Sequence, residues 1–132
     1  YYTGDLARIT RERCTCGRTH LRALGGILGR ADDLVVYRGA KFYPSQVEEV
    51  VRSFPELSNE YRIEVMEENG VAREVVVVAE LGQPGEVPGL ADTLQKRLKE
   101  ALGVTPKVRL ERPGALERTA FKAKRVVRHA RA

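Results

Sequence analysis

The feature that most narrows the possible folds is the β-branched run at 75–81, where four consecutive valines begin a strand-length apolar stretch. It follows an alternating segment in which Tyr61, Ile63 and Val65 share one face, and Glu68-Asn69-Gly70 between the two is a turn sequence. A hairpin is therefore expected here. Upstream, Leu34-Val35-Val36-Tyr37 reads as a short buried strand closed by Gly39. Ser45, just after Pro44, suits an N-cap, and Glu48 three residues on completes a capping box. Val47, Val50, Val51 and Phe54 then fall at helical spacing until Pro55 ends the helix. Downstream, the Gly- and Pro-rich loop 82–89 leads into Leu90, Leu94, Leu98, Ala101 and Leu102, an amphipathic helix stopped by Gly103. Val108 and Leu110 mark a last strand. Residues 33–112 thus run strand, helix, strand, strand, helix, strand, which is the order of an α+β, ferredoxin-like βαββαβ layer: antiparallel sheet with two helices on one face. After Pro113-Gly114 a loop and a short basic helix over 122–131 are expected.

The first thirty residues are extended. Leu6 and Ile9 alternate with polar positions, Cys14-Thr15-Cys16-Gly17 makes a turn, and a second run over 24–28 is interrupted by Gly25 and Gly26. A two-stranded hairpin of this kind is marginal alone and needs something to pack on. The boundary with the βαββαβ unit falls near Arg30-Ala31-Asp32-Asp33. The chain opens Tyr1-Tyr2-Thr3-Gly4-Asp5 with no initiator methionine, as expected of a piece of a longer polypeptide whose function is shared with other residues.

Composition removes several classes. No apolar run approaches the length of a membrane span, and no charged-then-apolar leader opens the chain, so no membrane association is expected. Cys14 and Cys16 are too close in sequence to staple a fold, and a reducing, cytoplasmic setting follows. The net charge is +5, but six of the 23 Lys and Arg residues and none of the 18 Asp and Glu residues lie beyond Glu117, so the body is close to neutral and the excess belongs to the tail. An RNA-binding plait presents stacking aromatics on its central strands. Here 75–78 offers only valines and aromatic content is 6%, so no nucleic-acid partner is expected. A stand-alone ferredoxin-like module sensing a small ligand stays open, because such modules carry no strong motif and the same plait hosts many activities.

Three stretches carry chemistry. In Tyr2-Thr3-Gly4-Asp5-Leu6, a carboxylate at a strand edge can solvate a turn or accept two hydrogen bonds from a ribose diol. Gly29-Arg30-Ala31-Asp32-Asp33 precedes Arg38-Gly39-Ala40-Lys41-Phe42-Tyr43-Pro44-Ser45-Gln46-Val47-Glu48, read on its own as a loop, a strand and a capped helix. Glu117-Arg118-Thr119-Ala120-Phe121-Lys122-Ala123-Lys124-Arg125 would on its own be a solvated terminus. Cys14, Cys16 and His20 are zinc-type ligands. Cys-x-Cys is, however, tighter than common ligand spacing and a fourth ligand is missing, so the metal expectation is none.

Taken in order, the three stretches resemble the adenylate-forming acyl-coenzyme A synthetase superfamily. The Cys-x-Cys-Gly-Arg-Thr-His and Arg-Gly-x-x-x-Tyr-Pro-Ser-Gln-Val-Glu wording is similar to the phenylacetate–coenzyme A ligase family. The resemblance spans nearly the whole chain. It implies that 1–31 is the last hairpin of a large nucleotide-binding domain absent from this chain, and that 32–132 is the small mobile domain that closes over it. It implies an acid–thiol ligase taking an aryl carboxylate, ATP with Mg2+, and coenzyme A through an acyl-adenylate, with the fragment alone inactive. An adenylate-forming relative acting on another acid or cofactor is the alternative within the superfamily.

By the same resemblance, Asp5 and Arg30 hold the ribose and Asp32 is the hinge, with Asp33 orienting that loop. Lys122 is the catalytic lysine that bridges the substrate carboxylate and the α-phosphate. Gly39, Ala40 and Lys41 meet coenzyme A, with Arg38 beside them near its phosphates. Phe121 stands where many relatives carry glycine, and Glu117 where proline is common.

Overall fold

The computed structural model describes residues 3–30, 33–118 and 125–131. The opening ribbon pairs β1 (Asp5–Thr10) with β2 (Arg22–Arg30) in antiparallel register from Asp5 opposite Arg30 to Thr10 opposite Arg22. Between Ala7 and Arg8 the register slips past Gly25 and Gly26, whose φ of 73° and 71° only glycine adopts freely. The tip closes as expected, with the Gly17 N–H donating to the Cys14 carbonyl at 2.9 Å. Ile9, Leu21, Leu24 and Ile27 are each between 41% and 67% exposed, so the ribbon has little core of its own.

β3 (Val35–Tyr37) was expected, but it pairs with a second short strand, β4 (Ala40–Phe42), that the sequence reading left out. Arg38 and Gly39 connect them with φ of 49° and 81°, the positive pair of a two-residue hairpin turn. The helix α1 (Pro44–Arg52) begins earlier than the Ser45 cap predicts. Tyr43 is the cap, because proline's ring holds φ at a helical value and its missing N–H costs nothing in the first turn. Gln46, not Glu48, closes the box: its Oε1 accepts the Tyr43 N–H at 2.9 Å.

β5 (Leu57–Glu68) and β6 (Val71–Leu81) form the expected hairpin, turning at Asn69 and Gly70 with φ of 53° and 75°. α2 (Leu90–Leu102) buries Leu90, Leu94, Leu98 and Leu102 and stops at Gly103, which is left-handed at φ 74° and caps the Lys99 carbonyl at 3.0 Å. β7 (Lys107–Glu111) follows. The tail differs from expectation: in place of a basic helix, β8 (Val126–Arg131) lies along β5. Val126 and Val127 are β-branched, Val126 is buried in the core, and the open edge of β5 supplies hydrogen bonds that an isolated short helix would lack.

The main sheet runs β7-β6-β5-β8. β5 and β6 are antiparallel, while β7 lies parallel to β6 and β8 parallel to β5. The α+β class and the two helices stand as expected, on a sheet that is mixed rather than wholly antiparallel. Ile63, Val65, Val75, Val77 and Ala79 face both helices together with Val35 and Phe42 from the β3–β4 ribbon, all essentially without solvent exposure. Val76 and Val78 face the other way and are covered by Leu116. That double cover explains why β6 reads as an unbroken apolar run. Among the described residues no helix is long and apolar enough to cross a membrane.

Candidate functional site

The residues expected to act lie on three elements. At the open end of the β1–β2 ribbon the register sets Asp5 and Arg30 directly opposite each other, with Arg30 Nη1 3.9 Å from Asp5 Oδ1. At that distance the pair is looser than a hydrogen bond, and the exposed carboxylate keeps lone pairs for hydroxyl donors. Gly4 precedes it at φ 73°, and the Asp5 N–H is held by Thr3 Oγ1 at 3.3 Å. Asp32, read as the hinge, lies outside the described residues, between this pair and Asp33.

The second group is the β3–β4 turn. Arg38 lays its guanidinium 5.2 Å from the centre of the Tyr37 ring, and Lys41 is exposed beside Gly39 and Ala40. A Cβ on Gly39 would meet nothing within 4 Å, so the chain itself requires glycine there for φ alone. Any close approach would come from a molecule docking on the turn.

The third group surrounds the tail. Lys122 lies outside the described residues, as do Thr119, Ala120, Phe121, Ala123 and Lys124. The chain on either side of them is tied to the sheet face away from the helices. Glu80 on β6, fully buried, accepts the Leu116 N–H at 3.0 Å, the Ser58 hydroxyl at 3.1 Å and Arg118 Nη2 at 2.6 Å. Glu60 on β5 accepts Arg125 Nη1 at 3.0 Å and has Arg118 Nη1 at 3.9 Å. Arg125 also donates to the Tyr61 carbonyl at 3.1 Å, lies 4.6 Å from the Tyr61 ring centre, and accepts the Ile63 N–H on its own carbonyl at 2.7 Å.

Two titrating groups here depart from ordinary values. Burial pushes the Glu80 carboxyl up, but the N–H groups of Leu116 and Gly114, the Arg118 guanidinium and the Ser58 hydroxyl outweigh it and hold the carboxyl below its usual range. Burial, with the Glu48 charge nearby, pushes Tyr61 up to about 12 against the opposing pull of Arg125. Its neutral hydroxyl donates to the Pro44 carbonyl at 3.2 Å.

At the ribbon tip, hydrogen bonds from the Cys16 side chain and backbone, with Arg22 nearby, lower the Cys14 thiol from its ordinary value. Among the described residues no group of three or more His, Cys, Asp and Glu side chains comes together to hold a metal ion, and Cys14, Cys16 and His20 are no exception. Glu60 and Glu80 escaped the sequence reading. The signal was present in Glu80, a carboxylate closing a run of valines, but its partners Ser58, Leu116 and Arg118 stand more than twenty residues away in the chain.

A family model described as the AMP-binding enzyme C-terminal domain matches residues 39–130. The phenylacetate-coenzyme A ligase of Thermus thermophilus is 37% identical over 137 residues, an overlap covering 90% of this chain and 30% of that protein. Among solved structures, 2-hydroxyisobutyryl-CoA ligase in its postadenylation state with R3-HIB-AMP aligns at a TM-score of 0.85 and 31% identity, over 96% of this chain and 28% of the other. The same ligase with 2-HIB-AMP and CoA in its thioesterification state aligns at 0.65 and 30% identity, over 97% and 28%. The chain therefore spans less than a third of the length of these relatives.

Proposed function

The chain belongs to the AMP-binding enzyme C-terminal domain family, and on that premise we propose that it is the C-terminal part of an acyl-coenzyme A ligase acting on an aryl, phenylacetate-like acid. The reaction has two halves. A carboxylate oxygen of the acid attacks the α-phosphorus of ATP, the bond to the bridging oxygen breaks, and pyrophosphate leaves. The thiol of coenzyme A, giving up its proton, then attacks the acyl carbon and AMP leaves as the thioester forms. The observation that carries this reading is that ribbon and small domain together align with an acyl-CoA ligase over 96% of the chain at a TM-score of 0.85.

In this reading residues 1–31 belong to the large domain and 32–132 to the mobile one. Asp5 accepts the two ribose hydroxyls, which its lone pairs and loose pairing with Arg30 permit, and Arg30 flanks the same sugar. Lys122 brings an ammonium to the substrate carboxylate and α-phosphate, where charge builds in the transition state. Gly39, Ala40 and Lys41 meet coenzyme A in the second half-reaction. Asp32 is the hinge between the two poses. What supports a hinge is the pair of alignments to one ligase: over nearly the same stretch the score is 0.85 in one state and 0.65 in the other, so parts within that stretch are set differently against each other. Magnesium would travel on the phosphates of ATP. The described residues form no group that fits it, and no step is assigned to it here.

The test uses the full polypeptide carrying this chain. Acid-dependent pyrophosphate release is measured with phenylacetate, other aryl acids and short hydroxy acids, followed by CoA-dependent thioester formation. Lys122→Ala should depress adenylation by at least a hundredfold and leave thioester formation from supplied acyl-adenylate within a few fold. Equal loss of both halves would remove Lys122 from its role, and no release with any acid would remove the ligase reading. The 2-hydroxyisobutyryl-CoA ligase likeness favours a second reading, an aliphatic hydroxy acid, which the same panel decides.

A further inference from the structure

We propose that Glu60 and Glu80 are positioning residues for Lys122, acting as a two-carboxylate clamp on Arg118 and Arg125, the described residues that flank 119–124 in the sequence. The proposal rests on the ligase reading for the role of Lys122, but the clamp itself is visible without it. Leaving a carboxylate fully buried near the end of a valine-rich strand is costly, and well-packed apolar residues commonly replace buried ion pairs without loss of stability. A buried charge at Glu80 therefore calls for a purpose besides holding the sheet together.

The bonds point to one purpose. Glu80 takes the Leu116 N–H and the Arg118 guanidinium, both on the approach to residues 119–124. Glu60 takes Arg125 on the return and also faces Arg118, so one carboxylate is shared by residues on the two sides of the segment. Ser58 links the two acids, donating its hydroxyl to Glu80 and accepting the Glu60 N–H at 3.1 Å. Arg118 and Arg125, which flank Lys122 in the sequence, are thereby both held on neighbouring strands, β6 and β5. Transition-state stabilisation is sensitive to displacements of about 1 Å, so the fixing of both flanks bears on what Lys122 contributes.

The experiment compares Glu80→Gln, Glu60→Gln, Arg118→Gln and Arg118→Lys with the wild-type full polypeptide. Three quantities are read: acid-dependent pyrophosphate release, thioester formation from supplied acyl-adenylate, and amide hydrogen exchange of peptides covering 115–126. The Gln variants should lose at least tenfold in adenylation, stay within twofold in thioester formation, and exchange about three- to fivefold faster over 115–126 with β5 and β6 unchanged. Arg118→Lys should recover part of the adenylation loss. Equal loss in both half-reactions would reduce the glutamates to structural roles and overturn the proposal. So would adenylation within twofold of wild type, or unchanged exchange.

If Glu80→Gln does not fold, Arg118→Gln carries the test, since that side chain is mostly exposed and leaves no cavity. A wild-type polypeptide that adenylates no acid would overturn the ligase reading and the catalytic role together. The exchange measurement reads no activity and separates that outcome from failure of the clamp.

Discussion

The Glu80–Arg118 contact allows a double-mutant cycle on this chain whose size follows from the structure. The bond is 2.6 Å long, with the carboxylate 0% and the guanidinium 58% exposed. Hydrogen bonds to charged groups contribute about 1.5–3 kcal/mol, and exposed pairs about 0.2–1 kcal/mol. One buried and one wet partner place this pair between those ranges. Arg118→Ala leaves Glu80 charged and buried with only backbone and Ser58 donors, and should cost about 1–2 kcal/mol. Glu80→Gln keeps an acceptor for the Leu116 N–H while removing the charge that needed Arg118, so its cost should be at most about 1 kcal/mol. Once the charge is gone, Arg118→Ala should add almost nothing, which makes the coupling energy about 1–2 kcal/mol. At roughly 2.1 cal/mol/K per residue, Arg118→Ala alone should lower Tm by about 4–7 °C. Urea denaturation of the four proteins at pH 7 measures the cycle, repeated in 1 M salt, where the coupling should shrink without vanishing because one partner is buried. A coupling below about 0.3 kcal/mol in both conditions would mean that the guanidinium does not sit on the carboxylate in solution. The reasoning about the buried charge would then fail.

The depressed Glu80 carboxyl sets a pH dependence with a definite sign. Its stabilisation is fully present above the unfolded-state value near 4.5 and is lost as pH falls through the lower folded value, so urea midpoints between pH 6 and 3 should fall less steeply in Glu80→Gln than in wild type. Equal slopes would refute this. Leu94→Ala, at a fully buried position on α2, should cost about 2–5 kcal/mol, and a loss under 1 kcal/mol in the same titration would mean α2 is not seated as described. Gly103→Ala should cost about 1–2 kcal/mol from backbone strain alone, because φ is 74° and a Cβ there meets nothing within 4 Å. A neutral result in thermal melts would show that the helix end re-forms without a left-handed residue.

What could be read in the sequence was whatever is decided by neighbours in the chain. The β5–β6 hairpin follows from alternation and one Asn-Gly turn, and α2 from leucines spaced by four and a glycine stop. The misses share a physical cause, in that the deciding partner is distant or two local signals compete. At the start of α1, Ser45 and Pro44 both argue for a position, and the fixed φ of proline wins. β4 is three residues long and exists because it pairs across a turn. β8 is rich in arginine and lacks a strand's usual flanks. It becomes a strand because β5, some sixty residues earlier, has an edge to fill and an acid, Glu67, to receive Arg128.

The candidate site divides the same way. Asp5 and Arg30 could be named from motif wording, and the ribbon register sets them opposite each other for a reason local to that hairpin. Glu60 and Glu80 belong to no motif, and their significance lies in the contacts they make with Leu116, Arg118 and Arg125 after folding. The contacts of Arg125 favour the strand over 126–131. A short isolated helix is marginal in water and would leave the Arg125 guanidinium without Glu60. A strand binds the Arg125 carbonyl to Ile63 N–H and holds the guanidinium on Glu60, so the residue just before β8 is fixed to the sheet by both its backbone and its side chain.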